Sequence, residues 1–282
     1  MKKDLKSIGK LSKFDYNIGK RDLIQYCCGF VGVAFAVTGF IIGKFCEETL
    51  LGLKLMLIFF NISILSLLIF FITYLFPKTI KEIFADCGGD MVLELECWNS
   101  EGSKKRGSAI MIKKGVLVTN AHVVLDDEGN LYEDIYCFFL ASDCVGRAAR
   151  RAVIIKYDEE KDIAFLGVIP SIYFGQGSYR AIKCGSVASL KTGDTIYAVG
   201  NSCGNGVTIS KGMVSLPVVT QEFCGEENFF IQLTVPTVGG NSGGAILNKR
   251  GRLVGMVTFN RKNNPNFTFA IPIERIIEYM KN

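Results

Sequence analysis

Two apolar stretches near the N-terminus, Leu23 to Ile42 and Leu55 to Phe76, constrain this chain more than any other feature in it. Each holds the ~20 residues that an α-helix needs to cross a hydrocarbon core, where every backbone N–H and C=O must be satisfied within the segment. The first is bounded by Arg21-Asp22 and Lys44. The second is interrupted only by Asn61 and a few hydroxyls, and ends at Pro77-Lys78. Core helices of globular proteins are rarely apolar all round over such a length. A signal peptide is the rival reading of the first stretch, but its apolar region would be only ~7–15 residues, and no clear small-residue cleavage site precedes the second stretch. Gly29, Gly32 and Ala36 fall near one helical face, where small residues let helices pack closely; the competing reading is that glycine is simply common in membrane helices.

Lysine and arginine in the short flanks set the orientation of such a hairpin. The tail before the first stretch carries Lys2, Lys3, Lys6, Lys10, Lys13, Lys20 and Arg21. The loop between the stretches carries only Lys44 and Lys54, offset by Glu47 and Glu48. This asymmetry puts the N-terminus in the cytoplasm, and two crossings return the chain to the same side. The expected layout is a basic tail over 1–22 and a transmembrane hairpin over 23–76, with spans 23–42 and 55–76. A linker follows over 77–90, with a short helix through Ile80, Ile83 and Phe84, and then a globular domain over 91–282.

The globular part reads as all-β. Short apolar or alternating runs are separated by glycine-containing and charged turns at close spacing. The runs are Met91–Cys97, Ser108–Ile112, Gly115–Thr119, Ile135–Leu140, Ala152–Tyr157, Ile163–Val168, Thr195–Val199, Thr208–Ser215, Phe229–Thr234, Ala245–Leu247 and Leu253–Phe259. Closed antiparallel barrels remove the exposed edges that such a set would otherwise present. Lys104-Lys105-Arg106 reads as a solvated turn before a strand.

Chemistry concentrates in three places. Gly239-Gly240-Asn241-Ser242-Gly243-Gly244 presents a serine hydroxyl on a tight turn beside free backbone N–H groups. The chain's single histidine, His122, follows the apolar run Leu117-Val118-Thr119. Asp162 heads the apolar run Ile163-Ala164-Phe165-Leu166. A serine nucleophile needs a base to take its proton, and the imidazole needs an acid to fix its tautomer. Taken singly, each residue has a plainer reading: a turn serine, a hydrogen-bonded histidine, a turn aspartate. Together they supply one of each catalytic type.

From about Cys97 onward the chain resembles the trypsin-like serine peptidases of the HtrA branch. The resemblance rests on Gly107-Ser108-Ala109-Ile110-Met111-Ile112, Val118-Thr119-Asn120-Ala121-His122-Val123-Val124, Asp162-Ile163-Ala164-Phe165-Leu166 and Ala198-Val199-Gly200-Asn201. It continues through Ser210-Lys211-Gly212-Met213-Val214-Ser215, Phe230-Ile231-Gln232-Leu233-Thr234, Gly240-Asn241-Ser242-Gly243-Gly244-Ala245 and Phe269-Ala270-Ile271-Pro272. It implies two six-stranded antiparallel β-barrels with the site between them. It also implies that His122 is the general base, Asp162 the orienting acid and Ser242 the nucleophile. The oxyanion hole would be formed by the N–H groups of Gly240 and Ser242, with Asn241 between them. Such enzymes usually carry a PDZ domain after the peptidase and work outside the cytoplasm. Here the amphipathic segment Pro272 to Met280 ends the sequence, and the charge asymmetry points the other way, to a cytoplasmic peptidase anchored in the inner membrane.

The resemblance places the primary specificity pocket beside Pro236, Thr237 and Val238, and beside Met256, Val257 and Thr258, with Phe269 nearby. None carries a charge, so cleavage after small or medium apolar residues is expected. Protein or peptide substrates and a lipid bilayer are the expected partners. A homo-oligomer is compatible with the resemblance, since trimers are common among relatives. No metal or organic cofactor is required, and no basic-aromatic module suggests nucleic acid, the net charge of +5 being carried largely by the N-terminal tail. Cys27, Cys28 and Cys46 lie in the hairpin region. Cys87, Cys97, Cys137, Cys144, Cys184, Cys203 and Cys224 are irregularly spaced with no C-x₂-C pair, which suits reduced thiols better than zinc or a disulfide frame. Two alternatives to an active peptidase stand: an idle peptidase fold serving as a membrane-bound scaffold, and a chaperone-like holdase that would need an oligomer.

Overall fold

The computed structural model describes residues 32–38, 40, 50–75, 91–140, 147–169, 180–261 and 264–282. The chain divides into two compact units, Asn17–Pro77 and Met1–Tyr16 with Lys78–Asn282. The basic tail and the expected linker over 77–90 lie outside the described residues.

In the first unit, α1 (Leu50–Leu75) is continuous over 26 residues and contains no acid. It starts before the expected Leu55. Leucines at 50, 51 and 53 favour the helix, and the aliphatic stem of Lys54 tolerates an apolar setting. Asn61 Nδ2 donates to Leu57 O (2.8 Å) and Ser63 Oγ to Phe59 O (2.9 Å), so both polar side chains are satisfied by the preceding turn. Residues 32–38 of the first stretch are also helical. A Cβ on Gly32 would lie 3.2 Å from Leu67 Cγ and 3.4 Å from Ser63 O, and the Phe35 ring stacks on Phe59 at 5.6 Å. Gly32 therefore sets a close helix–helix approach. Ala36 is exposed instead, and Gly29 lies outside the described residues. Among helical residues whose side chains are described, no stretch is long and apolar enough to cross a membrane. Within α1, the surroundings of side chains are described for Lys54, Leu55 and 57–70.

The second unit is built on twelve strands, all paired antiparallel. β1 (Val92–Trp98), β2 (Lys104–Lys113), β3 (Val116–Thr119), β4 (Asp134–Leu140), β5 (Arg147–Asp158) and β6 (Ile163–Val168) close in the order β1-β2-β3-β6-β5-β4. The one-turn helix α2 (Ala121–Val124) follows β3. β7 (Thr195–Asn201), β8 (Val207–Phe223), β9 (Glu226–Thr234), β10 (Ala245–Asn248), β11 (Leu253–Arg261) and β12 (Asn264–Pro272) close in the order β10-β11-β12-β9-β8-β7. Helix α3 (Ile273–Lys281) ends the chain.

Each barrel is filled by its inward-facing residues: Leu93, Leu95, Met111, Leu117 and Leu166 in the first, and Ile196, Val214, Ile231, Val254 and Val257 in the second. A third cluster joins the barrels. It takes Val92, Ile110 and Phe165 from one, Phe230, Met256 and Phe269 from the other, and Ile273 and Ile276 from α3. Burial of this kind contributes roughly 25 cal/mol per Å² of apolar surface, and it fixes how the two barrels meet.

Three features depart from the sequence reading. β12 is absent from the expected strands because it opens with Asn264-Pro265-Asn266, which reads as a turn; pairing to β11 and β9 overrides that local signal. β8 runs eight residues past Ser215, through Pro217, as the arm of a hairpin with β9. Pro217 is accommodated because the β8–β9 register shifts between Leu216 and Val219, where a ladder donor is dispensable. Lys104-Lys105-Arg106 is not a turn but the start of β2. Arg106 lies opposite Glu96 on β1 and pairs with it at 3.0 Å, and Lys105 Nζ donates to Leu125 O at 3.0 Å.

Candidate active site

β3 delivers a buried Thr119 and Asn120 to the barrel rim, and α2 then turns His122 outward. The histidine side chain is 41% exposed, while the Asp162 side chain is 2% exposed. Asp162 closes the β5–β6 turn with φ +53°, and its N–H donates to Glu159 O (3.1 Å). Asp is among the few residue types that enter this left-handed region at modest cost. The result is a carboxylate that His122 Nδ1 reaches at 3.0 Å from both oxygens, and to which the His122 backbone N–H also donates at 3.1 Å. Asn120 Nδ2 holds the Asp162 carbonyl at 3.1 Å. Thr258, on β11 of the other barrel, donates its hydroxyl to Asp162 Oδ2. A carboxylate on Nδ1 selects the tautomer with the proton there and the lone pair on Nε2.

Ser242 lies in the loop between β9 and β10. Its hydroxyl donates to Thr258 O at 3.2 Å, and among the described residues it makes no hydrogen bond to His122. Gly240 takes φ +94°, and a Cβ there would lie 2.2 Å from Asn201 O, so this position admits only glycine. Asn241 N donates to Val238 O (3.1 Å), and Asn241 Oδ1 accepts from Ser202 Oγ (3.0 Å). Asn241 thus braces the turn. Among the described residues no protein acceptor takes the N–H of Gly240 or Ser242. Two unpaired donors flanking a braced residue form the arrangement that receives a developing oxyanion.

Ser108, on β2, ties the serine loop to the first barrel. Its N–H donates to Ser242 O (2.8 Å), its hydroxyl donates to Gly240 O (2.7 Å), and the same hydroxyl accepts from Asn201 N (2.8 Å). Ser108 and the tie of Thr258 to Asp162 are site features that the sequence reading did not assign. Nothing short of the cross-barrel geometry identifies them, because small hydroxyl residues are unremarkable in strands.

The expected pocket residues divide. Pro236 and Val238 are exposed beside the serine loop. Met256 is wholly buried where the barrels join, and Val257 is buried inside the second barrel, so neither side chain is open to a ligand. Alternation along β11 sends the two to opposite faces, and both faces are covered. Thr258 is occupied by Asp162, and Phe269 is buried. Thr237 Oγ1 donates to Asn260 Oδ1 (2.8 Å) and lies 2.8 Å from Thr268 Oγ1, while Asn260 Nδ2 donates to Thr237 O (3.0 Å). This neutral network links the serine loop to β11 and β12 with its polar atoms paired among themselves.

Among the described cysteines, Cys97, Cys137, Cys184, Cys203 and Cys224 are all free thiols. Burial pushes Cys97 and Cys137 up to about 12 and Cys184 up to about 11.

Two antiparallel barrels with a Ser, His and Asp drawn from both define the trypsin-like serine peptidase class. A trypsin-like peptidase domain model matches residues 107–256. The chain is 32% identical over 209 residues to a "Probable periplasmic serine endoprotease DegP-like" of Buchnera aphidicola, covering 71% of this chain and 40% of that protein. It is 30% identical over 223 residues to a "Probable periplasmic serine protease do/HhoA-like" of Haemophilus influenzae, covering 72% of this chain and 44% of that one. Among solved structures, the HtrA-type protease AlgW with tripeptide superposes with a TM-score of 0.58 at 27% identity, over 71% of this chain and 62% of that chain. The serine endoprotease from Yersinia pestis shares the fold, with a TM-score of 0.57 at 23% identity over 73% and 66%. The chain spans less than half the length of these two curated relatives. It belongs to the trypsin-like serine peptidases of the HtrA type.

Proposed function

We propose that this chain is a serine endopeptidase in which Ser242 attacks the scissile carbonyl, His122 carries the proton and Asp162 orients His122. The observation that carries the reading is the His122 Nδ1 contact with both Asp162 oxygens at 3.0 Å. The unpaired Gly240 and Ser242 amides support it. Ser242 Oγ rotates from Thr258 O toward His122 Nε2, gives up its proton there and forms the acyl bond. Nε2 then protonates the leaving amine, and water, deprotonated by the same nitrogen, releases the acyl group. The oxyanion is held by the Gly240 and Ser242 N–H groups. Fluorophosphonate labelling tests this. Labelling of the parent and its loss in Ser242→Ala supports the reading, whereas equal labelling or equal proteolysis by Ser242→Ala overturns it.

The substrates are protein or peptide chains cut after small or medium apolar residues such as Val, Ala, Ile or Leu. The groups beside Ser242 that support this, Pro236, Thr237, Val238 and Asn260, offer no carboxylate to a lysine or arginine. Discrimination among apolar residues is shallow, about 1–3 kcal/mol per methylene. A peptide-library profile dominated by Arg or Lys before the cut would overturn this assignment.

The chain is further proposed to be tethered in a membrane by the hairpin of spans 23–42 and 55–76. The length of α1, 26 residues or about 39 Å at ~1.5 Å per residue, supports this, as does the close seat of Gly32 on Ser63 and Leu67. The lysine-rich tail supports a cytoplasmic N-terminus and peptidase. The two periplasmic relatives instead favour the periplasm. A reporter fused after Asn282 decides between them: activity of a cytoplasm-only reporter supports the first, and activity of a periplasm-only reporter the second.

A further inference from the structure

We propose that helix α3 positions the catalytic acid, with Tyr279 and Arg275 as positioning residues that hold the β5–β6 turn so that Asp162 stays on His122. The inference rests on the peptidase reading above.

Asp162 sits at the end of a four-residue turn in a left-handed conformation, and the groups packed around that turn set where its carboxylate lies. Thr258 and Asn120 hold Asp162 itself. The strands leading into and out of the turn are held by α3. The Tyr279 ring stacks on Phe165 of β6 with centroids 5.9 Å apart. Lys156 of β5 donates its ammonium to the Tyr279 carbonyl and lies 4.4 Å from the centre of the Tyr279 ring. Lys161, adjacent to Asp162, lies 5.6 Å over the same ring while pairing with Asp158. One aromatic residue on α3 thus touches both strands of the hairpin and the turn between them.

Arg275, one turn earlier, supplies the other jaw. Its guanidinium donates to Phe229 O (3.1 Å) and Asn228 Oδ1 (2.8 Å) on β9. Asn228 Nδ2 in turn reaches Glu160 O in the Asp162 turn at 3.5 Å. Arg275 is half-buried; burial lowers its pKa, and the carboxylates of Asp158 and Asp162 counter that loss. Arg275 thus lies within the electrostatic reach of those two carboxylates while it grips β9. Through α3, the position of the acid is tied to β9, and not only to the barrel that carries it.

The test uses the full chain. It has one histidine, so selective ¹⁵N labelling gives a single imidazole whose Nδ1 proton reports the Asp162 contact directly. Tyr279→Ala and Arg275→Met are expected to shift or broaden that resonance and to lower kcat per fluorophosphonate-reactive site about 10- to 100-fold, with KM for a cleaved peptide within twofold. Tyr279→Phe, which keeps the ring against Phe165, Lys156 and Lys161, is expected to restore both. The resonance is also read in the Ser242→Ala background, where no catalysis is needed, so failure of the peptidase reading is seen separately. An unchanged resonance in folded Tyr279→Ala or Arg275→Met, or an unchanged kcat per reactive site, overturns the proposal. If Tyr279→Ala does not fold, Arg275→Met decides alone.

Discussion

Thr258 meets Ser242 and Asp162 at once: its carbonyl accepts the Ser242 hydroxyl at 3.2 Å and its own hydroxyl donates to Asp162 Oδ2. The serine therefore rests on the strand that also steadies the acid. Thr258→Val keeps the shape and the carbonyl but removes the donor to a buried carboxylate. It is expected to lower kcat about tenfold, in line with ~1–3 kcal/mol for a lost hydrogen bond to a charged group. Steady-state kinetics with Thr258→Ser as the restoring control check this; parent-like turnover by Thr258→Val would show that Asp162 does not depend on it.

Ser108→Ala removes a donor to Gly240 O and an acceptor for Asn201 N in one change. The expected outcome is a loss of about 1–3 kcal/mol in unfolding free energy, together with slower fluorophosphonate labelling of Ser242. Urea denaturation and labelling rates measure the two effects. A stability loss with labelling untouched would limit Ser108 to a structural role.

Gly243 and Gly102 both adopt positive φ, +81° and +79°, yet only the first is enclosed. A Cβ at Gly243 would lie 2.1 Å from Ser108 O, whereas one at Gly102 would meet nothing within 4 Å. Gly243→Ala is expected to yield little folded protein, and Gly102→Ala to cost only about 1–2 kcal/mol of backbone strain. Comparison of soluble yield and thermal midpoint separates them. Equal behaviour would mean that the two barrels dock less closely than described.

The buried thiols give the molecule an alkaline limit. Cys97 and Cys137 move from the ordinary 9.0 to about 12, and Cys184 to about 11, because burial disfavours their thiolates. In the unfolded chain these thiols ionise near 9, while the folded chain keeps them protonated. The stability they contribute is therefore full below pH 9 and is lost as the pH rises toward 11 and 12. Denaturation midpoints are expected to fall between pH 9 and 11, and Cys97→Ala to lessen that fall. In native protein at pH 8, peptide mapping after iodoacetamide is expected to find Cys203 modified and Cys97 and Cys137 intact. Modification of Cys97 at the rate of Cys203 would contradict its burial.

How far the sequence was legible depended on whether the signal was local. β6, Ile163–Val168, coincides with its apolar run because every residue in it is buried and nothing polar blurs its ends. Asp162 and His122 were legible because each sits at the edge of such a run. β12 was not, since Asn264-Pro265-Asn266 carries turn chemistry and only its partners make it a strand. Met256 and Val257 were assigned to a pocket by closeness to Ser242 in the fold family, but alternation turns their side chains into the cores. Asn260, which does reach Thr237, lies three residues beyond Val257 on the same strand. Ser108 belongs to a legible block, yet what it does depends on residues more than ninety positions away.

The grip of Ser108 on Gly240 and Ser242 has a consequence for the timing of biogenesis. The main chain of Ser242 is held by a strand of the first barrel, while β11, which receives its hydroxyl, follows some ninety residues after that barrel closes. A growing polypeptide folds its first barrel while the second is still being made. Until the last strands close and dock, Ser242 lacks both its support from Ser108 and its acceptor on Thr258. The backbone that carries Ser242 therefore takes its final geometry only once both barrels have formed and docked.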